Sequence, residues 1–352
     1  MSLGFYTTPL SALVAIGHGI YVIGTQGIRT SKLVAYLLAS FVGVLTYIPW
    51  IIVVANNIAA SSSTTEWASR KIPPFQTVAS FLINIIIIFL DIPSKFLWKA
   101  PPDTYQVTDI FIGILSLPIL FLIGFSIFFL YRHPKEVWLF VLTLIAVTSL
   151  TFLVPDLLLG GIRSVMPRFQ IPVLLGIELA VAYLLATKIS VPPIRQQKLW
   201  QIAMLALISS GVISCTISSQ SDLWWNKYFN TDNLPISRIV NQSKSPLLIS
   251  DARSTSSFLT ILSISHVLEP KVKIQLLPPV KSSTNIPKIA NNFTDVFLLT
   301  PSKELREGIE KQQNFQVESV YDGSKLNPVK SDIFLWKLLK SVATGASVHN
   351  FF

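Results

Sequence analysis

Four side chains are candidates for chemistry because they are charged or titratable and lie within or beside long apolar runs. Glu178 lies near the middle of the run LLGIELAVAYLL, and His18 lies in the segment IGHGIY. Arg163 and Arg168 belong to the segment GIRSVMPR, which separates two apolar runs. Ionisable groups are costly inside a bilayer, so each of them warrants a functional hypothesis.

The two arginines predict a phosphate site. A guanidinium group is a planar fork of donors that matches a phosphate, and two of them at a membrane surface suit the phosphate of a lipid. Asp156 stands close by in the sequence, at the end of the preceding apolar run. The alternative is that Arg163 and Arg168 anchor the loop among lipid headgroups without selecting one.

Glu178 and His18 each have two interpretations. Glu178 either contacts an ion or substrate in a polar cavity, or is a neutral or hydrogen-bonded carboxyl that faces other helices; we favour the second. A single membrane histidine is more typical of a hydrogen bond between helices than of a metal ligand. Because the 4 histidines of the chain are widely scattered, the sequence predicts no metal site.

No catalytic residue and no cofactor is predicted from motifs. The chain contains no GxxxxGKS/T, GxSxG or HExxH, and Ser, Cys and His form no recognisable triad. The soluble part lacks a glycine-rich strand-to-helix turn, which argues against a dinucleotide site. The net charge of +10 does not indicate nucleic acid, because the basic residues of the apolar part lie mostly in short loops that meet anionic headgroups.

Membrane helices are the elements that must position these side chains. The sequence is 51% hydrophobic and 13% charged, with a mean hydropathy of +0.57, whereas a soluble domain usually carries about twice that charged fraction. A helix needs about 20 apolar residues to cross a bilayer. Six runs meet this length, namely 3–23, 33–55, 108–131, 137–160, 169–188 and 199–218.

A seventh apolar run, 76–92, has two interpretations. Its uninterrupted part is only about 13 residues and contains Asn84, which suits an interfacial or re-entrant helix as well as a span. If it does not cross, the positive-inside rule still leaves the two sides too similar to orient the protein. One side carries Arg29, Lys32, Arg132, Lys135, Lys188, Arg195 and Lys198, and the other carries Arg70, Lys71, Lys95, Lys99, Arg163 and Arg168.

The composition changes after residue 218, where 15 of the 28 Lys and Arg and 11 of the 18 Asp and Glu lie. Strands are predicted at 246–250, 272–277, 295–300, 315–321 and 332–339, and helices at 256–268 and 302–312. This alternation is typical of a small α/β layer structure. The predicted fold class is a polytopic α-helical membrane bundle over 1–218 with a small C-terminal soluble α/β domain over 219–341, and a disordered tail over 342–352.

Four segments and the α/β tail, in this order, carry a resemblance to a known family. The segments are YTTPLSALVAIGHGIYVI, LLASFVGVLTYIPWIIVVANN, TTEWASRKIP and RSVMPRFQIPVLLGIELAVAYLLA. The chain resembles the C-terminal half of polytopic glycosyltransferases of the GT-C fold, most of all the protein-mannosyltransferase-like (family 39) bacterial membrane enzymes. The Arg-Tyr/Phe-x-Ile/Leu-Pro segment that opens a late helix in that family corresponds here to Arg168-Phe169-Gln170-Ile171-Pro172.

The resemblance implies a function and a location. The family transfers a sugar from a polyprenyl-phosphate carrier to an acceptor on the outer face of the membrane, and Arg163 and Arg168 would be the remnant of the carrier-phosphate site. It also implies a multi-pass protein of the plasma (inner) membrane with its C-terminal domain on the external face. The wider family allows a divalent metal, for which this sequence shows no ligands.

The chain departs from the family pattern at the catalytic residue. Inverting transfer needs a carboxylate base, which the family places in its first external loop, but here Met1 leads straight into an apolar run and the first acidic residue is Glu66. We therefore predict a truncated or split member without its catalytic acid. Its predicted partners are membrane lipid, the polyprenyl-phosphate-linked sugar if it is active, and a partner chain that supplies the missing helices.

Two other classes of function remain open from the sequence. The first is a non-catalytic membrane anchor or subunit, which a truncated enzyme would closely resemble. The second is a transporter, suggested by Glu178 and His18 within predicted spans. Internal symmetry of the kind that transporters often show is not evident in the sequence.

Overall fold

The structure is a computed structural model. It describes residues 1–58, 65–91, 107–190, 193–221, 224, 230–251, 255–280, 286, 288–289, 292–313, 315–326 and 332–340. The chain divides into two compact units, Met1–Ser221 and Asp222–Phe352. The predicted disordered tail, 342–352, lies outside the described residues.

The first unit is a helical bundle. Its helices are α1 (Ser2–Thr7), α2 (Ser11–Gln26), α3 (Ser31–Asn56), α4 (Pro74–Ile87), α5 (Val107–Tyr131), α6 (Lys135–Leu159), α7 (Ile171–Ser190) and α8 (Ile194–Ser219). Five of them, α3, α5, α6, α7 and α8, are long and apolar enough to cross a membrane. Large apolar side chains on these helices are exposed, and such a surface is stable against hydrocarbon rather than water. The prediction of a multi-span membrane protein is confirmed.

The first predicted span, 3–23, is two helices instead of one. Between α1 and α2, Thr8 has an extended backbone with φ −157° and ψ 132°. Pro9 explains the break, because the residue before a proline is driven out of the helical region. α1 lies against α3, where the Tyr6 hydroxyl donates to the carbonyl of Thr46 at 2.7 Å.

α7 is the most enclosed of the five long helices. Its residues Val173 and Ile177 are buried in an apolar cluster with side chains of α4 and α5. Gly176 permits the close approach of α6, since a Cβ there would lie 2.6 Å from Cγ1 of Ile145 and 3.3 Å from the carbonyl oxygen of Val141. The bundle is therefore packed around α7, which also carries Glu178.

The loop between α6 and α7, residues 160–170, marks one end of the bundle, which we call the loop end. α7 runs from the loop end to the opposite end, and α8 packs beside it and returns. The C-terminal half of α8 therefore lies near the loop end, and the turn that joins α5 to α6 lies at the opposite end.

α4 is the part of the predicted run 76–92 that forms a helix, and both of its ends are held at the loop end. Just before it, the carbonyl of Ala68 accepts a hydrogen bond from the Ile162 backbone N–H at 3.0 Å. Just after it, the carbonyl of Phe89 accepts from the hydroxyl of Ser210, in the C-terminal half of α8, at 2.6 Å. At 14 residues, or about 21 Å, α4 is also too short for the hydrocarbon core. This geometry favours the interpretation in which the helix does not cross.

Cysteine labelling tests this path. In a Cys215→Ser background, Arg70→Cys and Lys95→Cys precede and follow α4 in the sequence, and Lys135→Cys lies at the opposite end. A membrane-impermeant maleimide is expected to label Arg70→Cys and Lys95→Cys from one side of sealed vesicles and Lys135→Cys only from the other. Labelling of Lys95→Cys together with Lys135→Cys would mean that α4 crosses.

The second unit contains a mixed five-stranded sheet. Its elements are α9 (Asn233–Asn241), β1 (Pro246–Asp251), α10 (Thr255–Ser265), β2 (Lys273–Leu277), β3 (Asp295–Leu299), α11 (Lys303–Gln313), β4 (Phe315–Asp322), α12 (Gly323–Leu326) and β5 (Phe334–Lys340). The strand order is β2-β1-β3-β5-β4. β1 pairs in parallel with β2 and β3, whereas β5 pairs antiparallel with β3 and β4. The predicted α/β region is confirmed.

Helices cover both faces of this sheet, and the strand alternation assigns each side chain to one face. Leu248 and Phe297 lie in a buried cluster with α9 and α10. Ile249 and Leu298 lie in a second buried cluster with α11. β1 and β3 are buried along nearly their whole length, as expected for strands covered on both sides.

An ion pair joins two neighbouring strands of the sheet. Asp295 of β3 lies 2.6 Å from Nζ of Lys337 on β5. The hydrogen bond from Lys337 holds the pKa of Asp295 below the ordinary carboxyl value, and Ser243 and Thr294 contribute further hydrogen bonds. A lowered folded-state pKa means that the pair stabilises the fold above the pKa of the unfolded chain, and that this stability is lost as the pH falls through the folded-state pKa.

We expect Lys337→Met to lower the melting temperature of the α/β unit near neutral pH, because it removes the partner of Asp295. The difference from wild type should shrink as the pH falls below about 4, where the carboxyl becomes protonated. Thermal unfolding of the full chain across this range measures it. Lys303→Met, at an exposed lysine on α11, is the matched control. If the difference in melting temperature between Lys337→Met and wild type did not vary with pH, the role of the ion pair would be contradicted.

Candidate functional site

A buried carboxylate organises the loop end of the bundle. The side chain of Asp156, in the last turns of α6, is fully buried. Its Oδ2 accepts hydrogen bonds from the backbone N–H of Ser164 at 2.6 Å and from the Ser164 hydroxyl at 2.8 Å. Because the two residues are eight positions apart, these bonds fold the loop back over the end of its own helix.

The other oxygen of Asp156 faces Arg163. The Arg163 guanidinium lies 3.5 Å from Oδ1, and 38% of the arginine side chain is exposed. A single long contact leaves most of the guanidinium donors directed elsewhere. The buried carboxylate therefore positions Arg163, while most donors of its guanidinium group remain available to another acceptor.

The backbone of the loop must pass very close to this carboxylate. Gly161 has φ +153°, and a Cβ at that position would lie 2.2 Å from Oδ1 of Asp156. Neither the conformation nor the space suits a side chain, so glycine is required here. Gly160, with φ +84°, lies against the aliphatic part of Lys71.

Arg168 rests on an aromatic platform. Its guanidinium carbon lies 5.0 Å from the centre of the Trp67 ring and 4.9 Å from that of Phe169. The two rings stack on each other with centres 6.1 Å apart, and Phe152 also stacks on Phe169. Stacking fixes the plane of a guanidinium while leaving its edge donors available.

Amide side chains of α4 and of the last loop residue, Gln170, bind the backbone of the loop. The side-chain amide of Asn84 donates to the carbonyl of Val165 at 2.7 Å, and that of Gln170 donates to the carbonyl of Ser164. Thr77 lies two turns before Asn84 on the same side of α4. The hydroxyl oxygen of Thr77 and Oε1 of Gln170 are buried and have no hydrogen-bond partner in the described part of the chain.

Together these contacts place positively charged side chains on one surface of the loop end. Arg168, Arg70 and Lys71 are exposed, and Arg163 is half-buried. The carboxylate that the structure places among them, Asp156, is enclosed beneath the loop. This surface can hold an anion with several hydrogen-bond acceptors, such as a phosphate group.

The two predicted intramembrane polar residues lie apart from this loop. His18 is half-buried and stacks on Phe140 of α6, with ring centres 6.3 Å apart. Glu178 is exposed on α7, on the side of the helix that faces away from the bundle. The structure therefore does not place them in a common cavity. Among the described residues, no group of three His, Cys, Asp or Glu side chains could hold a metal ion.

Sequence reasoning missed the aromatic platform and the supporting amides. Trp67 is separated from Arg168 by about a hundred residues of chain, and nothing in its neighbourhood points to that contact. Asn84 did give a signal, since an amide inside an apolar run needs a partner. Its partner, a backbone carbonyl of the loop, could not be read from the sequence.

The chain was compared with family models, with curated proteins and with solved structures. None of the three comparisons gave a match.

Replacing Asp156 with Asn tests the central contact. The amide keeps the size of the carboxylate but loses its charge, so its oxygen accepts from Ser164 only as a neutral group, and its nitrogen presents a donor to the guanidinium of Arg163. We expect the free energy of unfolding to fall by about 1–3 kcal/mol, the usual cost of disturbing a buried hydrogen-bonded charge. Thermal unfolding in detergent measures the effect.

Arg163→Gln is the matched control for that change. Since this ion pair is long and partly exposed, its removal should cost only about 0–1 kcal/mol. If Arg163→Gln destabilised the protein as much as Asp156→Asn does, the bonds to Ser164 would not be the main stabilising contacts.

Proposed function

We propose that this chain is a glycosyltransferase-like membrane protein of the GT-C kind, a partial member, that binds the phosphate of a polyprenyl-phosphate carrier at the loop 160–170. The observation that carries the proposal concerns the guanidinium groups of Arg163 and Arg168. Both are positioned by the protein, and most of their hydrogen-bond donors remain available. A buried carboxylate positions the first and an aromatic platform positions the second. Two guanidinium groups that are already positioned can donate hydrogen bonds to one phosphate from two directions.

The surroundings of the arginines suit a phosphate that is carried by a lipid. The loop lies at the end of membrane-length helices, where lipid headgroups meet water. α4 lies beside it, and its exposed residues Phe75, Val78 and Leu82 offer an apolar surface. A polyprenyl chain could lie along this surface while its phosphate reaches the arginines.

Sugar transfer would also need a carboxylate base. Asp156 does not suit that role, because it is buried and both of its oxygens already have partners. We therefore infer that the base comes from another chain. By the resemblance to the family, this chain would lie in the plasma (inner) membrane with its loop end and C-terminal domain on the external face.

The exposed side of α7 supports the existence of a partner helix. Glu178 lies there between Leu175 and Ala182, which share that side of the helix. A carboxylate that faces hydrocarbon is costly, whereas a second helix could cover it and donate a hydrogen bond. Ala182 and Ala186 are small, and small residues four apart let two membrane helices approach closely.

Charge favours a partner of different sequence over a second copy of this chain. A symmetric contact between two α7 helices would bring two Glu178 side chains together. Two carboxylates in hydrocarbon repel each other unless they share a proton. A partner helix with a basic or amide side chain can donate a hydrogen bond to Glu178 without bringing a second carboxylate into the hydrocarbon.

A non-catalytic anchor or subunit is a second candidate, favoured by the structural use of Asp156. It would keep the phosphate site and the partner helix but take no part in transfer. Adding a partner chain that carries an acidic external loop distinguishes the two, because only the first predicts transfer of sugar. The transporter alternative gains no support, since His18 packs against Phe140 whereas Glu178 is exposed on α7.

Binding of undecaprenyl phosphate to the purified chain in nanodiscs tests the phosphate site. We expect Arg168→Ala to weaken binding about tenfold, as the loss of a charge-assisted hydrogen bond would. Undecaprenol, which lacks the phosphate, should bind weakly to wild type and to the variant alike. Binding of the phosphate should also weaken as salt is added.

Arg132→Ala is the matched control for this experiment. Arg132 also lies over an aromatic ring, that of Phe128 at 4.4 Å, but at the opposite end of the bundle. Equal loss in Arg132→Ala and Arg168→Ala would indicate general attraction to the lipid. Unchanged binding in Arg168→Ala would contradict the site.

A further inference from the structure

The C-terminal unit contains a second polar cluster, at the carboxyl end of β1. Asp251 is the last residue of that strand, and its side chain is completely buried. Its Oδ1 accepts a hydrogen bond from the backbone N–H of Ser302 at 2.9 Å. Its Oδ2 is also buried and has no hydrogen-bond partner in the described part of the chain. A buried carboxylate oxygen without a donor is costly, so a ligand or water that donates to it is expected.

The strand order places this oxygen where α/β folds bind ligands. From β1 the chain passes through α10 to β2 on one side, and then to β3 on the other side of β1. The direction of winding thus reverses between β1 and β3. In such sheets, ligands bind outside the carboxyl ends of the strands at the point of reversal. Asp251 and the residues that follow β3 lie at this point.

Thr300 follows β3 directly and has an unusual backbone. Its φ is +42°, a left-handed conformation that a β-branched residue rarely adopts. It is held there by Phe334, whose carbonyl accepts from the Thr300 N–H at 2.8 Å and whose N–H donates to the Thr300 hydroxyl oxygen at 3.3 Å. The half-buried Thr300 is the most exposed of the three polar side chains and marks the side from which a ligand would enter.

The hydroxyl groups of Thr300 and Ser302 each keep a hydrogen to donate. Thr300 accepts from Phe334, and Ser302 accepts from the backbone N–H of Leu305 at 3.1 Å. Neither hydroxyl donates to an acceptor within the described residues. The cluster therefore offers one strong acceptor, Oδ2 of Asp251, and two donors.

We propose that this cluster binds a small polyhydroxylated molecule with adjacent hydroxyl groups. A ligand hydroxyl can donate to Oδ2 and, through itself or its neighbour, accept from Thr300 or Ser302. An anion is disfavoured by the carboxylate. A metal ion is disfavoured because the described residues contain no group of three side chains that could ligate one.

The test uses the full chain in phosphatidylcholine nanodiscs, because maltoside detergents carry hydroxyl groups of their own. Saturation-transfer NMR is recorded with glycerol, myo-inositol and methyl glucoside as probes. We expect at least one probe to bind wild type and to bind Asp251→Asn about tenfold more weakly, since a charged acceptor is lost. Glu318→Gln removes the same charge from the exposed edge strand β4 and should bind like wild type.

Thr300→Val is the second variant, in case Asp251→Asn does not fold. It keeps the branched shape but removes a donor, and weaker binding of the same probe is expected. If no probe binds wild type, or if both variants bind like wild type, Oδ2 is satisfied by an ordered water and the proposal is overturned. Because Asp251 and Arg168 belong to different units, either proposal can fail while the other holds.

Discussion

The first unit depends on hydrocarbon around its five long helices. These helices expose large apolar side chains over most of their outer surface, which water would not tolerate. Inside hydrocarbon, a polar group without a partner in the protein is costly, because no water is available to it. Asp156 and Asn84 avoid this cost by hydrogen bonding to the loop, and within the loop the amide nitrogen of Gln170 donates to the carbonyl of Ser164. The cost of unpaired polar groups in hydrocarbon therefore makes such groups rare within the bundle. Those that do occur at the loop end bind the loop and order it.

The two units were predictable from the sequence to different degrees. Long apolar runs identify membrane helices with little ambiguity, and alternation of short strands and helices identified the α/β unit. Pro9 is a signal for the break in the first run, and the prediction of one span over 3–23 rested on the length of the run alone. The exposed position of Glu178 had no signal, because a helix that is apolar on all sides does not show which side faces the bundle.

The arrangement of the candidate site was predictable only where its residues are close in sequence. Arg163 and Arg168 stand near Asp156 in the chain, so a charged loop could be expected. The contact of Arg168 with Trp67 and the support by Asn84 bring together segments from three parts of the bundle. Such contacts depend on how helices pack, and the local pattern of residues does not encode them. In the same way, the position of β5 between β3 and β4 depends on pairing across the whole unit.

That position of β5 has a consequence for biosynthesis. Among the described strands, β5 is the last to leave the ribosome, yet it joins the parallel part of the sheet to β4. Until residue 340 has emerged, β3 keeps an unpaired edge and β4 has no neighbour. The helices before it can already be inserted in the bilayer at that time, whereas the α/β unit can close only after β5 has been made. A chain that ended before β5 would thus carry complete membrane helices and a sheet with unpaired strand edges, which can pair with other chains.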